Sequence, residues 1–238
     1  MEAHATLPHA QEPSVSGRSR RRDAIEIAVA YALILAVEWT PRPLQRALWL
    51  VALMGVALIV WRSFDGWQAM GFCAANFGRS LWIAGAAVTL AAAAVTLAAR
   101  MHTLLVPGGP LEFVATYCAY ALWSGVQQIL LQGVFLPRFL GLIPKPAAAA
   151  LVASVLFALA HLPNPVLMPI TLVWGCAACL LFLRYRTIYA LMIAHAILGI
   201  TVAITIPGPV DHNMRVGLGY LRYGPHKHAH RMYHLPQP

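Results

Sequence analysis

Long apolar stretches separated by short polar breaks dominate the hydrophobic pattern of this chain. About seven of them are long enough to form helices that cross the ~30 Å apolar core of a bilayer, which takes roughly 20 residues. The pattern therefore predicts an all-α fold, a polytopic transmembrane helix bundle of about seven spans, with eight as the alternative. The predicted spans are Ala24–Trp39, Leu44–Trp61, Ser80–Ala99, Leu111–Leu140, Ala147–His161, Val166–Leu183 and Thr187–Ile206.

The polar breaks predict the domain organisation. Residues 1–22 are polar and end in arginines, so we expect a disordered basic N-terminal tail. Residues 23–206 form the predicted transmembrane helical domain, and residues 207–238 form a polar, His-rich C-terminal tail. Within the domain, Arg62–Arg79 holds fewer apolar residues and predicts an interfacial amphipathic stretch.

The composition supports a membrane protein and argues against a nucleic-acid partner. The chain is 60% hydrophobic and only 11% charged, far from the balance of a soluble domain. The formal net charge is +9, but the lysines and arginines lie in short loops and tails and form no nucleic-acid-binding motif. We therefore expect these cations to set the topology and to contact anionic lipid headgroups.

The loop charges predict a cytoplasmic N-terminus. This orientation puts Arg62, Arg138 and Arg184 on the inner side, as the positive-inside rule requires. The cations of residues 207–238 then fall on the outer side. Either this tail is translocated or the count of helices is off by one.

Polar side chains on three of the predicted spans lie at a similar depth. A rise of about 1.5 Å per residue places Gln127, His161 and His195 roughly 16, 21 and 13 Å from the predicted inner ends of their helices. A single glutamine in such a helix usually only bonds a neighbouring helix, for around 0.6 kcal/mol, and a single histidine does so about as often as it serves a site. Three spans with costly polar groups near one level predict a site in the middle of the membrane.

Three short motifs resemble the signature of a known family. They are Gln127-Gln-Ile-Leu-Leu-Gln132, followed by Gly133-Val-Phe-Leu-Pro-Arg138; then Phe157-Ala-Leu-Ala-His161-Leu-Pro-Asn; and His195-Ala-Ile-Leu-Gly199. In order and spacing they resemble the CPBP intramembrane proteases, the group that contains type II CAAX prenyl endopeptidases and bacterial relatives. The resemblance covers roughly residues 70–205.

The resemblance implies an intramembrane endopeptidase of the bacterial inner membrane that cleaves a membrane-associated peptide or protein. It implies that His161 and His195 are the core site residues, with Gln127, Gln128 and Gln132 as their polar partners. In the family a glutamate is taken to activate water with the help of the histidines, while an asparagine or histidine stabilises the oxyanion. A divalent metal is commonly proposed.

The chain departs from the family pattern at four positions. Gln127 and Gln128 stand where the family has two glutamates, Gln132 stands for an arginine, and Gly199 stands for an asparagine. A glutamine amide cannot take a proton from water near neutral pH and is a poor ligand for a divalent metal. The cofactor is therefore left open, and the inherited mechanism lacks its base.

Several hypotheses remain open at this point. A neutral imidazole could act as the base, or Glu38 could supply a carboxylate, since it lies about 24 Å along its helix, near the level of His161. Alternatively, the chain is a catalytically silent member that binds a membrane or lipidated peptide without cutting it. A transporter is disfavoured because no inverted repeat is apparent. The run His226-Lys-His-Ala-His230 predicts a solvated basic tail rather than a metal site.

Overall fold

The structure, a computed structural model, describes residues 19–224. The predicted N-terminal tail up to residue 18 and the histidine run after residue 225 lie outside this part. The described residues form helices joined by loops. The helices are α1 (Arg20–Glu38), α2 (Arg42–Arg62), α3 (Phe77–Arg100), α4 (Pro110–Gln128), a π-helical segment (Ile129–Phe135), α5 (Leu136–Leu142), α6 (Pro146–Leu159), α7 (Leu167–Tyr185), α8 (Tyr189–Thr205), α9 (Gly208–Asp211) and α10 (Gly217–Leu221).

The predicted all-α, polytopic helix bundle is confirmed. Each predicted span corresponds to one long helix, with α4, the π-helical segment and α5 forming the continuous fourth one. Three helices, α2, α3 and α7, are long and apolar enough to cross a membrane by length and composition, while α6 and α8 are shorter and apolar. The helices α1 to α4 and α6 to α8 all expose large apolar side chains, as a lipid-facing bundle requires.

Proline explains why the starts of three helices were predictable, whereas local capping moves the start of α1 to an earlier residue than predicted. The helices α2, α4 and α6 each have proline in the first turn, where its missing N–H is not needed. Ser19 caps α1 by accepting a hydrogen bond from the backbone N–H of Arg22 at 3.3 Å. As a result α1 begins at Arg20, inside the region predicted as an N-terminal tail.

The helices alternate in direction, so the bundle has two distinct ends. At the Arg138 end, Arg22 donates to the carbonyl of Arg62 at 2.9 Å, which joins the start of α1 to the end of α2. At the same end, Asn76 before α3 donates to the carbonyl of Tyr185 at the end of α7, also at 2.9 Å. The His161 end contains the ends of α1, α3, α6 and α8. This alternation agrees with seven crossings.

The stretch predicted to be interfacial and amphipathic is a turn-rich loop between α2 and α3. Gly71 lies at its deepest point, with a φ of +90° that favours glycine, and its carbonyl accepts the N–H of Ile188 at 2.9 Å. A side chain at Gly71 would collide with the ring of Phe182. The loop therefore packs into the Arg138 end of the bundle.

The first part of the predicted C-terminal tail is folded against the His161 end. Asn164 donates to the carbonyls of Asp211 and Arg215 at 2.7 and 3.0 Å. The N–H of Gly217 donates to the carbonyl of Leu162 at 2.7 Å. Residues 207–224 are thus a structured cover over this end, which the polar composition of the segment did not reveal.

Candidate functional site

A large cavity lies in the half of the bundle next to the His161 end. Its volume is about 1430 Å³, above the usual range of about 300–1,000 Å³ for ligand pockets. Aromatic and aliphatic side chains form most of its wall, and residues of the cover between 213 and 222 also line it. The polar residues on the cavity wall include Glu38, Tyr120, Gln127, His161 and His195. Three of the five predicted site residues therefore share one cavity.

The glutamines come from the point where α4 changes into the π-helical segment. Gln128 is the last residue of α4, and Gln132 lies within the π-helical residues. Both side chains have no solvent-exposed surface. Segments of π-helix are rare and occur frequently at functional sites, because they re-aim side chains that a regular α-helix would place elsewhere.

His195 on α8 is held by Gln128. Its Nδ1 lies 2.9 Å from the amide nitrogen Nε2 of Gln128, and the ring is buried. Because the amide nitrogen can only donate, Nδ1 is the acceptor and the hydrogen of the neutral ring resides on Nε2. The glutamine thus makes Nε2 of His195 the donor nitrogen of this ring, and the backbone of Ser124 is a further hydrogen-bonding neighbour of the ring.

His161, just after α6, is held in the opposite protonation pattern. Its Nδ1 lies 2.8 Å from the carbonyl oxygen of Phe157. Because a carbonyl can only accept, Nδ1 carries the hydrogen and Nε2 of the neutral ring keeps its lone pair. One imidazole on the cavity is therefore a donor at Nε2, and the other is an acceptor there.

The ring of Phe157 lies beside both imidazoles. Its centroid is 5.0 Å from that of His161 and 6.1 Å from that of His195. Phe157 is fixed in turn by Gly175 on α7, where a Cβ would lie only 3.3 Å from its ring. The small residue allows α7 to approach α6 closely, and this packing positions the Phe157 ring that contacts both histidines.

Gln127 and Gln132 occupy different environments. Gln127 is half-buried on the cavity wall. Gln132 lies away from the wall and is fully buried, and neither of its amide atoms has a well-formed hydrogen bond within the described part of the chain. Its polar neighbour is the thiol of Cys179, a weak donor. Gln132 therefore lies behind the cavity wall and does not face the cavity.

Tyr120 is a residue of the cavity that the sequence did not point to. Its hydroxyl group and ring lie where a side chain on Gly199 would be, so any Cβ at that position would collide with the phenol. Gly199 stands for the asparagine of the family motif. A phenol from α4 therefore fills the space that this asparagine would take. The only signal of this in the sequence was the glycine at the position of the asparagine.

The side chains present do not fit a divalent metal. Residues 19–224 contain no group of three or more His, Cys, Asp or Glu side chains that could hold an ion. The two imidazoles have each committed Nδ1, and their nearest partners are an amide and a backbone carbonyl. Catalytic zinc sites use three such ligands, and hard cations prefer carboxylates. The cavity therefore offers no complete ligand set for such an ion among the described residues.

A second polar cluster lies at the Arg138 end. The guanidinium of Arg138 is buried, with only 2% of the side chain exposed, and it contacts Glu26 Oε2 at 2.7 Å. It also donates to the hydroxyl of Ser63 and to the carbonyl of Val134, at 2.8 and 2.7 Å. Arg22 binds the other oxygen of Glu26 at 2.8 Å. Arg138, expected as an anchor at the membrane surface, is instead the centre of a buried ion-pair network.

Fold and cavity together define a helical membrane protein with a mainly apolar chamber between its helices, whose wall carries a few polar groups. Residues 109–201 match the family model described as type II CAAX prenyl endopeptidase Rce1-like. The match includes the π-helical segment and both histidines, and it confirms the predicted resemblance over a shorter range than 70–205. No curated protein and no solved structure matches the chain.

Proposed function

We propose that this protein is an intramembrane endopeptidase that hydrolyses a peptide bond of a membrane-associated peptide or protein. Its place would be the bacterial inner membrane, with the N-terminus and the Arg138 end on the cytoplasmic side. The Rce1-like match supports the reaction class. The single observation that carries the proposal is the pair of imidazoles with opposite Nε2 roles on one cavity.

The chemistry follows from these two roles. Nε2 of His161 takes a proton from water while the water oxygen attacks the carbonyl carbon of the peptide. Nε2–H of His195 donates to the carbonyl oxygen, on which negative charge develops, and the Tyr120 hydroxyl is a second donor on the same wall. As the C–N bond breaks, the imidazolium of His161 returns its proton to the leaving nitrogen.

The glutamines have supporting roles in this proposal. Gln128 fixes the tautomer of His195, because its amide N–H occupies Nδ1. Gln127 is available on the cavity wall to bind the backbone of the peptide. Both are neutral, so the site holds its substrate without a buried ion from this helix.

A second candidate is a catalytically silent protein that binds a membrane or lipidated peptide in the same cavity. The observation that favours it is that amides stand at both glutamate positions, while the cavity remains large and mainly apolar. Such a chamber suits an extended apolar ligand whether or not it is cut.

The test is cleavage by the purified protein in lipid nanodiscs, with a library of membrane peptides and mass spectrometry of the products. We expect His161→Ala to reduce turnover at least ~100-fold, because it removes the acceptor nitrogen. His102→Ala, in the exposed connection after α3, is the matched control and leaves turnover unchanged. Cleavage that persists in His161→Ala contradicts the mechanism.

Gln127→Glu separates the two candidates. If the natural protein does not cut any peptide and only this variant does, the protein is a silent binder. Recovery of an intact peptide with the purified natural protein would support the same conclusion. Turnover by the natural protein supports the endopeptidase.

A further inference from the structure

Six carboxyl groups lie within residues 19–224, and only two of them line the cavity. Asp23 and Glu26 are at the Arg138 end, Asp65 is in the loop before α3, and Asp211 belongs to the cover. The cavity carboxyls are those of Glu38 and Glu112.

The two cavity carboxyls are not equivalent. Glu112 is exposed in the first turn of α4, where its Oε2 accepts the N–H of Gly108 at 3.1 Å. Glu38 is the last residue of α1, and its Oε2 is buried without a hydrogen-bond partner in the described part of the chain. Tyr31, two turns earlier on α1, is close enough to interact with its charge. Glu38 is thus a carboxyl with unused bonding capacity on the cavity wall.

Gly217 joins Glu38 to the neighbourhood of His161. The N–H of Gly217 donates to the carbonyl of Leu162, the residue that follows His161, at 2.7 Å. On its other side, a Cβ at Gly217 would meet the backbone of Glu38 and lie 2.9 Å from the Cβ of Glu38. Glu38 and Leu162 therefore flank a single glycine, and the side chains of Glu38 and His161 line the same cavity.

We infer that Glu38 and His161 bind the attacking water together, Glu38 through its carboxylate and His161 through Nε2. This inference rests on the proposed endopeptidase function. Two acceptors engage both hydrogens of the water and leave an oxygen lone pair directed at the peptide carbonyl. Glu38 would then be a catalytic residue from outside the motifs and outside residues 109–201.

The proton balance is complete with groups of this chain. One water proton passes to Nε2 of His161 as the new C–O bond forms, and the second remains hydrogen-bonded to Glu38. The imidazolium gives its proton to the leaving nitrogen when the C–N bond breaks. Glu38 stabilises the imidazolium in between, and this attraction is stronger in a cavity of low polarity than in water.

The experiment compares Glu38→Gln with Asp65→Asn in the full chain in nanodiscs, using a peptide that the natural protein cuts. We expect Glu38→Gln to lower kcat at least ~100-fold while the Kd of a non-cleavable analogue of that peptide changes less than about twofold. Glu38→Asp restores part of the rate because it keeps the carboxylate. Asp65→Asn, in the exposed loop before α3 and outside the cavity lining, retains the natural kcat.

Other results would overturn the inference in distinguishable ways. If the natural protein cleaves and Glu38→Gln keeps its kcat, Glu38 has no part in the reaction, and the endopeptidase proposal is unaffected. If Glu38→Gln and Glu38→Asp both lose peptide binding and thermal stability, the role of Glu38 is structural. If the natural protein cleaves no peptide, the proposed function fails and the inference with it.

Discussion

The two polar clusters of this protein differ in how polar side chains are buried within the apolar bundle. At the Arg138 end, charged groups are buried and nearly every bond is made: Arg138 and Arg22 occupy the two oxygens of Glu26. Around the cavity, Gln128 and Gln132 are neutral, and amide atoms of both lack partners in residues 19–224. Both clusters are built on the single helix formed by α4, the π-helical segment and α5.

This contrast distinguishes the polar groups that fix the fold, at the Arg138 end, from those that support the cavity. A buried ion pair with its hydrogen bonds satisfied fixes how helices meet, and removing one partner leaves an uncompensated charge. Buried polar atoms without partners cost stability and are rare in folded proteins. The unpartnered atoms of Gln128 and Gln132 lie behind the cavity wall, where Gln128 holds His195 in place.

The largest expected effect comes from breaking the ion-pair network. Arg138→Ala leaves Glu26 without its buried partner, so we expect a loss of about 3–5 kcal/mol in the free energy of unfolding. Thermal unfolding in detergent measures it. The double variant Glu26→Gln with Arg138→Gln removes both charges and is expected to be less damaging than Arg138→Ala. Equal stability of Arg138→Ala and the natural protein would contradict the structural role.

A somewhat smaller effect is expected at the contact between Gly199 and Tyr120. Gly199→Ala places a Cβ against the phenol, so we expect a loss of about 1–3 kcal/mol from overpacking. Gly85→Ala in α3 is the matched control, because no atom lies within 4 Å of its new Cβ. Thermal unfolding of both variants tests this. Adding Tyr120→Ala to Gly199→Ala relieves the clash, and no recovery in that double variant would show that the cause lies elsewhere.

The unpartnered amides should behave differently from the ion pair. Gln132→Leu removes a buried amide that has no well-formed bond, so we expect the free energy of unfolding to stay the same or rise by up to about 2 kcal/mol. Gln128→Leu removes the donor to His195, and we expect a loss of about 1–3 kcal/mol. Chemical unfolding of the two variants measures the contrast. A larger loss in the free energy of unfolding for Gln132→Leu than for Gln128→Leu would contradict the prediction that only Gln128 makes a stabilising hydrogen bond.

The smallest expected effect is a pH dependence in the cover. Burial raises the pKa of Asp211 to about 6, although Oδ1 accepts the N–H of Asn213 at 2.9 Å. The folded protein therefore holds this proton more tightly than the unfolded chain, where the pKa is 3.8. Its contribution to stability is complete below pH 4 and is lost as the pH rises to about 6. Unfolding curves across this range should show the slope in the natural protein, and Asp211→Asn should remove it.

The sequence predicted the helices well because membrane helices leave strong local signals. Apolar length and prolines in the first turn of α2, α4 and α6 locate the spans without knowledge of their neighbours. Depth along each helix also placed Gln127, His161 and His195 at a common level. Helix rise gives the depth of each side chain, and the three side chains reach one cavity because their helices pack with these faces toward each other.

The parts that were not predictable depend on contacts distant in sequence. Tyr120 and Gly199 meet across two helices, and Arg138 and Glu26 are 112 residues apart. The fold of residues 207–224 depends on Asn164, which belongs to the loop after α6. None of these pairs has a signature in hydropathy or spacing, because each side chain is unremarkable within its own segment.

The π-helical segment has a consequence for insertions and deletions. Consecutive residues of an α-helix differ by about 100° around the axis, so one residue gained or lost rotates everything after it by that angle. The segment from Ile129 to Phe135 separates Gln128, which faces His195, from Arg138, which faces Glu26. Deleting one residue there would turn one of these side chains away from its partner while the rest of the helix stayed intact. The angular phase between the cavity and the ion pair is thus set by seven residues, whose number is constrained even where their identity is not.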